Sequence, residues 1–485
     1  MYGWQIPKDG KKIYLITDNT RMNGFADGLE IGDFERVYVS YSNSKINLGI
    51  HYYNNILYSS NLVGICRLKS IDNQNMYDND GNELLIKVVP RFNVTIIDLL
   101  NYIKDDDEFD RYMAPQTTSN RQNEKEIEEI DKNELFYFFE NEKPLKVDEG
   151  ISSENSIITV TVFLTMLKLL CKKPLMGRME KDEENLTGKI KGKIVIEKNI
   201  RTNIIHGRKD RFYCRYLHFT DNILENQILK AALKKSKRFL IDYFGDNIKD
   251  NNNYTSMISY CFNVMRHISD IDFNGNACNG LKFSGCYTYY KPVMTMARMV
   301  LDDISIESNG AISTTGYIIP YAISMEKLFE VYVRTYLKKN GIKSYRDTEE
   351  TGIKLEKFDD KTDIFMEEND LSNPGKYIAG SIKPDIILTN QDTGETVVFD
   401  VKYKDYKNQN SREDRLQLLA YSMMLNANNV GIILPAQKEE KIFDARKINS
   451  MERRVIKYHQ MLLGINKVDT RIATYIKTNT FKKVE

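Results

Sequence analysis

Two carboxylates and an amine fall close together in Ser381–Lys404, which reads SIKPDIILTN QDTGETVVFD VKYK. The apolar runs Ile386-Ile387-Leu388 and Val397-Val398-Phe399 flank a polar segment, Asn390 to Glu395, that contains Gly394. Alternation bounded by turn residues predicts a β-hairpin. A turn centred between Asp392 and Thr393 makes paired residue numbers sum to 785, which sets Asp385 directly opposite Asp400. Lys402, two residues beyond Asp400, shares that face. Opposed strand residues have β-carbons roughly 4.5–5.5 Å apart, so like charges there repel. A divalent cation turns the repulsion into binding, and Mg²⁺ prefers one or two carboxylates with water and phosphate oxygens. The chemistry open to such a group is attack of water on a phosphate, with the lysine beside that water. The same residues also fit an ordinary exposed hairpin carrying a surface salt bridge.

The elements around the hairpin must hold these groups. Upstream, Met325, Leu328, Phe329, Tyr332, Val333, Tyr336 and Leu337 give a helix-period stripe that runs to Lys339, before Gly341. Glu330 lies at its edge. It fits an ion pair with Arg334 at i+4, or a carboxylate reaching over the sheet towards a metal. Downstream, Ser411 to Ala427 reads as a helix with a loose capping box at Ser411 and Asp414. Its stripe is Leu416, Leu419, Ala420, Met423 and Met424, with Gln417 and Tyr421 sharing another face. Val430 to Pro435 reads as a buried strand, and Met451 to Leu463 as a C-terminal helix. Helix, hairpin, helix, strand and helix make an α/β core with helices over a mixed sheet.

The chain has 485 residues, 41% of them hydrophobic, enough for two or three packed domains. Its net charge of +1 provides no global field for nucleic acid or membrane, so a DNA contact must use a local patch. There is no eighteen-residue apolar run and no signal-peptide pattern, which leads us to expect a cytoplasmic protein free of membrane. Six scattered cysteines without a CxxC pair suggest neither a zinc ribbon nor a disulfide framework. Residues 1–103 read as a β-rich module, with strands at Lys12–Ile16, Arg36–Ser40, Leu57-Tyr58, Val63–Leu68 and Leu84–Pro90. Residues 104–150 read as an acidic insertion or linker. Residues 151–314 contain an apolar helix at Ile157–Lys172 and a helix at Asp221–Phe239. Between them, Leu186 to Ile194 alternates isoleucine with Lys189, Lys191 and Lys193. That pattern fits a ribbon whose basic face contacts phosphates, or a solvated cationic strand. His267 reads as a structural histidine. Residues 315–485 form the region of the acidic hairpin.

Pro384-Asp385, fourteen residues, then Asp400-Val401-Lys402 resembles the motif of the PD-(D/E)XK nucleases. Leu328-Phe329-Glu330, Asp400-Val401-Lys402-Tyr403-Lys404 and Gln417-Leu418-Leu419-Ala420-Tyr421 together resemble the McrC family, the nuclease subunits of McrBC modification-dependent restriction systems. Upstream, Leu186-Thr187-Gly188-Lys189-Ile190 resembles the family's Leu-x-Gly-x-Ile segment. Cys214–Phe219 with Asn226–Lys230 resembles its middle segment. Leu85–Arg91 resembles its N-terminal strand ending in Pro-Lys, with arginine in place of lysine. The resemblance spans most of residues 60–435. It implies an α+β multidomain chain with an N-terminal β-rich docking module, a helical middle region and a C-terminal PD-(D/E)XK restriction-endonuclease-like α/β core.

The resemblance also implies roles. Asp385 and Asp400 would hold Mg²⁺, with Mn²⁺ able to substitute, against the scissile phosphate of DNA. Glu330 would complete the metal site or orient water, and Lys402 would position water and stabilise charge. Gln417 and Tyr421 would support the site or touch DNA, although packing explains them nearly as well. Lys404, with Lys189, Lys191 and Lys193, would contact DNA. The chain has no G-x-x-x-x-G-K-[ST] loop. The family resemblance implies an McrB-like AAA+ GTPase hexamer as partner, docked through the N-terminal region. Two other readings remain: a self-sufficient RecB-like repair nuclease, and a non-catalytic activator of the ring.

Overall fold

The computed structural model describes residues 2–7, 10–23, 25, 50–53, 56–68, 74–92, 96–103, 135–138, 145–146, 149–245, 252–306, 312–314, 317–318, 321–344, 351–356, 362–363, 381–382, 384–405, 412–436, 440–449, 455–465 and 470–481. They form a mixed α/β protein in two compact units. One unit holds the described residues of Met1–Pro115, Gln122–Glu142 and Pro320–Glu485, and the other those of Lys143–Ile319.

The first unit carries two six-stranded sheets. In the N-terminal sheet the strand order is Gly3–Trp4, Lys11–Thr17, Glu83–Val89, Leu62–Arg67, Tyr321–Ser324 and Phe136–Phe138. Lys11–Thr17 and Glu83–Val89 run parallel, from Lys11↔Glu83 to Thr17↔Val89. Alternation buries Tyr14 and Ile16 on one face of their strand, as period-2 patterning requires. The strands read from sequence at Lys12–Ile16, Val63–Leu68 and Leu84–Pro90 are present within a residue or so. The one at Arg36–Ser40 and most of the acidic segment 104–150 lie outside the described residues. From sequence alone, 1–103 and 315–485 read as separate domains. In the structure Tyr321–Ser324 sits inside the N-terminal sheet, with Tyr321 opposite both Ile65 and Phe138. A four-residue strand leaves too short a pattern to reveal a partner more than 250 residues away.

The second sheet of this unit holds the acidic hairpin. Its order is Ile353–Leu355, Ile386–Asn390, Thr396–Val401, Asn429–Pro435, Val455–Leu463 and Lys441–Asn449. Thr396–Val401 and Asn429–Pro435 are neighbours and parallel. Each strand is buried along nearly its whole length, as a strand covered on both faces must be. Gly431 is required there, because a β-carbon would sit 2.6 Å from the His459 carbonyl oxygen and 2.9 Å from the Phe399 ring. The helix Arg412–Met424 covers these two strands and shares a core with them through Leu418, Tyr421, Val398, Val430, Ile432 and Leu434. The helix Met325–Lys339 is capped by the Ser324 hydroxyl, which accepts from the Lys327 N–H at 3.3 Å.

Val455–Leu463 corrects the expected C-terminal helix. It is a strand, parallel to Asn429–Pro435 and antiparallel to Lys441–Asn449. Its apolar residues fit either period over so short a run. The outcome is decided by ladder hydrogen bonds available on both edges, which a local reading does not see.

The second unit packs the helices Glu149–Cys171, Leu224–Phe244, Asn252–Val264 and Tyr290–Asp303 together beside a three-stranded sheet. Cys66, Cys171, Cys214 and Cys261 are buried, and Cys286 is exposed. His267 pairs with Asp221 at 2.6 Å. Among the described residues no helix is long and apolar enough to cross a membrane.

Candidate active site

The hairpin pairs Ile386 with Phe399, Ile387 with Val398, Leu388 with Val397 and Thr389 with Thr396. The numbers in each pair sum to 785, the register read from sequence. Its turn is closed by the Asn390 side chain, which accepts from the Asp392 N–H at 2.9 Å and the Thr393 N–H at 3.3 Å. Gly394 supplies a φ of 71° that other residues adopt at a cost. This register carries Asp385 next to Asp400 at the open end. The Asp385 carboxylate accepts from the Val401 N–H at 2.7 Å, which fixes it across the pair. Arg334 holds the strand entry by donating to the carbonyl oxygens of Asp385 at 3.0 Å and Glu356 at 2.7 Å.

Asp400 is 1% exposed, and neither of its carboxylate oxygens has a hydrogen-bond partner. The Lys402 ammonium lies 3.1 Å from its Oδ2, so that contact is a charge pair without hydrogen-bond geometry. Burial, and then the Asp385 charge, push the Asp400 carboxyl well above the usual carboxylate range, against the pull of Lys402. Burial alone would lower Lys402. Asp400 and Asp385 outweigh it and hold the ammonium above the ordinary lysine value.

Glu330 is buried, and its carboxyl is raised to about 7 by burial and by the charge on Asp385. It is held from its own helix by Lys327, at 2.8 Å, three residues earlier. The alternative of an i+4 tie to Arg334 gives way to this i,i+3 pair, while Arg334 supports the hairpin backbone. Gln417 donates to the Tyr421 hydroxyl at 2.5 Å. Tyr421 is buried, and burial, then the charge on Asp400, raise its pKa. The Gln417–Tyr421 pair thus lies on the helix that packs over the strand carrying Asp400.

The donor set suits a hard cation. Two adjacent carboxylates offer oxygens, and Asp400 is buried with neither oxygen in a hydrogen bond, its charge offset by Lys402 at 3.1 Å from Oδ2, so both oxygens keep lone pairs for a cation. Among the described residues no three histidine, cysteine, aspartate or glutamate side chains converge into a ready cage. The fit is thus to two carboxylates plus water and ligand oxygens, not to a closed all-protein site, and Glu330 stays tied to Lys327.

A family profile described as "McrBC 5-methylcytosine restriction system component" matches residues 113–435. The chain belongs to that family. No curated protein matches it. Among solved structures, it is similar to one of Thermococcus gammatolerans McrB AAA+ hexamers with bound McrC. There the identity is 12% and the TM-score 0.41, covering 96% of this chain and 99% of the other. A second, the Thermococcus gammatolerans McrBC complex, gives 11% identity and a TM-score of 0.29, covering 69% and 92%.

In this McrBC-family chain the expected DNA contacts divide. Lys404 is paired with Asp414, so its charge is already compensated. Asp414, read as a capping residue, is the partner that local reading missed. Lys189, Lys191 and Lys193 are exposed, in the other compact unit. They do not share one strand. Lys189 and Lys191 lie on the connection between Arg178–Thr187 and Lys193–Ile194, and Lys193 faces Arg215. Lys191 sits 3.8 Å over the Tyr216 ring. The neighbouring strand supplies Glu180, Asp182, Glu183 and Glu184. Glu183 accepts from Arg215 at 2.6 Å and pairs with Lys198, and Tyr216 donates to Glu184 at 2.9 Å. The basic segment pairs with Arg211–Thr220, whose other edge carries the acidic strand Arg178–Thr187, so acid lies one strand away from the lysines.

Proposed function

We propose that this chain is the DNA-cleaving subunit of an McrBC-type restriction system, hydrolysing phosphodiesters with Mg²⁺ and docking on an McrB-like AAA+ GTPase ring that it stimulates. The observation that carries this reading is the half-buried Asp385 beside the buried Asp400, with the Lys402 ammonium 3.1 Å from Asp400 Oδ2 and neither Asp400 oxygen in a hydrogen bond. Membership of the McrBC component family supports the system, and the PD-(D/E)XK pattern on a hairpin within a mixed sheet supports the chemistry.

Asp385 and Asp400 would hold Mg²⁺, which supplies Lewis-acid charge against a phosphate oxygen when bound. Lys402 is cationic at neutral pH, so its first role is to orient the attacking water and offset charge that builds on the phosphate oxygens. The water oxygen forms the new bond to phosphorus, the ester oxygen departs with the bonding pair, and a proton completes the alcohol. Val401, through its N–H, keeps the Asp385 carboxylate from turning away, and Lys402 pairs with Asp400. Glu330, raised to about 7, adds a group able to take or give a proton near Asp385.

The test is reconstitution: the purified chain with methylated DNA and Mg²⁺, with and without its AAA+ partner and GTP. Cleavage that requires the ring and GTP is expected, with Mn²⁺ able to replace Mg²⁺, little cutting in Ca²⁺ and none that depends on Zn²⁺. Cutting at full rate without the ring would favour a self-sufficient nuclease, and stimulation of the ring without cutting would favour a pure activator.

A further inference from the structure

The Arg91 guanidinium reaches the strand end that carries Lys402. Arg91 follows Glu83–Val89 by two residues. Its backbone N–H donates to Asp18 Oδ1 at 2.7 Å, and its Nε lies 3.5 Å from Asp18 Oδ2. Asp18 is fully buried at the end of the parallel partner strand, and its own N–H donates to the Val89 carbonyl oxygen at 3.0 Å. From this base the guanidinium donates to the Tyr403 carbonyl oxygen, 312 residues away. The Tyr403 ring is buried against Phe92, edge to face at 4.9 Å, and near Phe329 at 6.0 Å, with the guanidinium carbon 5.1 Å from its centroid.

Tyr403 is where the chain leaves the sheet. The strand ends at Val401, and Lys402, the next residue, still donates its N–H to the Ile433 carbonyl oxygen at 3.0 Å. Without Arg91 the next carbonyl would lack this charge-assisted partner in a buried place, and the backbone after Lys402 would be free to turn. Lys402 is held on one side by the sheet and on the other by an arginine of the N-terminal sheet. We propose that Arg91, seated on Asp18, is a positioning residue that fixes Lys402 against Asp400 by anchoring the Tyr403 carbonyl. This rests on the nuclease reading for its consequence, though not for the anchor itself. It makes the N-terminal sheet part of the chemistry of the hairpin.

The test uses the full chain with its ring partner. Combining Asp18→Asn with Arg91→Met removes both charges together, so neither is left buried alone, and the amide oxygen introduced at position 18 can still accept from the backbone of residue 91. Hydrogen exchange read by mass spectrometry should show 402–405 exchanging about ten-fold faster, with Thr396–Val401 and Glu83–Val89 unchanged. Single-turnover cleavage should slow by about 100-fold at unchanged KM for DNA, the cost of a small displacement at a reacting group. Arg91→Lys should recover much of both effects, because an ammonium beside Asp18 can still donate to the Tyr403 carbonyl. Unchanged exchange at 402–405 in the double variant would overturn the proposal. Loss of protection spread over the whole unit, with kcat and KM moving together, would overturn it too. Exchange reads the anchor without cleavage, so a wild-type chain that does not cut overturns the nuclease reading and leaves exchange to decide the anchor.

Discussion

At the scale of single residues, the charge balance around Asp400 makes two separable predictions. Asp385→Asn keeps an oxygen to accept from the Val401 N–H but removes one of two facing charges. Cleavage should fall by about 10³-fold or more while thermal stability holds or rises, because the repulsion that burial amplifies is relieved. Cleavage kinetics beside a melting curve check this, and a variant that cuts at the wild-type rate contradicts it. Lys404→Ala should behave oppositely. It strands Asp414, which is 7% exposed, and should cost about 2 kcal/mol of stability after allowing for partial solvent exposure. DNA affinity should barely change, and an affinity loss without destabilisation would restore Lys404 as a phosphate contact. The facing aspartates were legible from the hairpin alone, since a period of two and one turn fix the register. Of the two causes that raise the Asp400 carboxyl, the hairpin register gives the second, the charge on Asp385, while burial, the larger, comes from packing. Lys327 and Asp414 were not legible as partners, because each sits where several side chains compete and only packing selects among them.

At the scale of elements, the strand Val455–Leu463 is tied into the sheet by His459. Its Nε2 faces Asn429 Oδ1 at 2.9 Å and its Nδ1 faces the Tyr475 hydroxyl at 3.0 Å, so the neutral ring donates once and accepts once. Burial, and then Lys457, lower its pKa from the ordinary 6.5 to about 4. The folded pKa lies below the unfolded one. The contribution to stability is therefore full above about pH 6.5 and is lost as pH falls through about 4, a change on the order of 3 kcal/mol. His459→Gln should remove that part of the slope in chemical denaturation measured from pH 7 to 4, and an unaltered slope would show that the ring titrates normally. The helix Met325–Lys339 was readable because its stripe, cap and terminal glycine agree. The strand holding His459 was read as a helix because its neighbours, not its own pattern, decide it.

At the scale of the whole molecule, the N-terminal sheet and the hairpin sheet share one compact unit, and the sheet at the N-terminus borrows Tyr321–Ser324 from far downstream. A chain truncated at residue 310 loses that strand and exposes the edge of Leu62–Arg67. It should lose the cooperative unfolding of its N-terminal sheet and aggregate, whereas the full chain should not. A sharp transition in the truncated chain, with the ring still bound and stimulated, would show the sheet to be complete without it. Family membership was legible from short motifs in order along the sequence, and the family profile matches residues 113–435. The sharing of strands was not, because four residues carry too little pattern to name a distant partner.

The central claim is that Asp385, Asp400 and Lys402 form one hydrolytic site. Single-turnover cleavage of methylated DNA by the assembled complex, comparing the wild-type chain with Lys402→Ala in Mg²⁺, tests it most directly. Lys402→Ala should cut at least roughly 10³-fold more slowly, with ring binding and nucleotide hydrolysis unchanged. Cleavage by Lys402→Ala at the wild-type rate would contradict it.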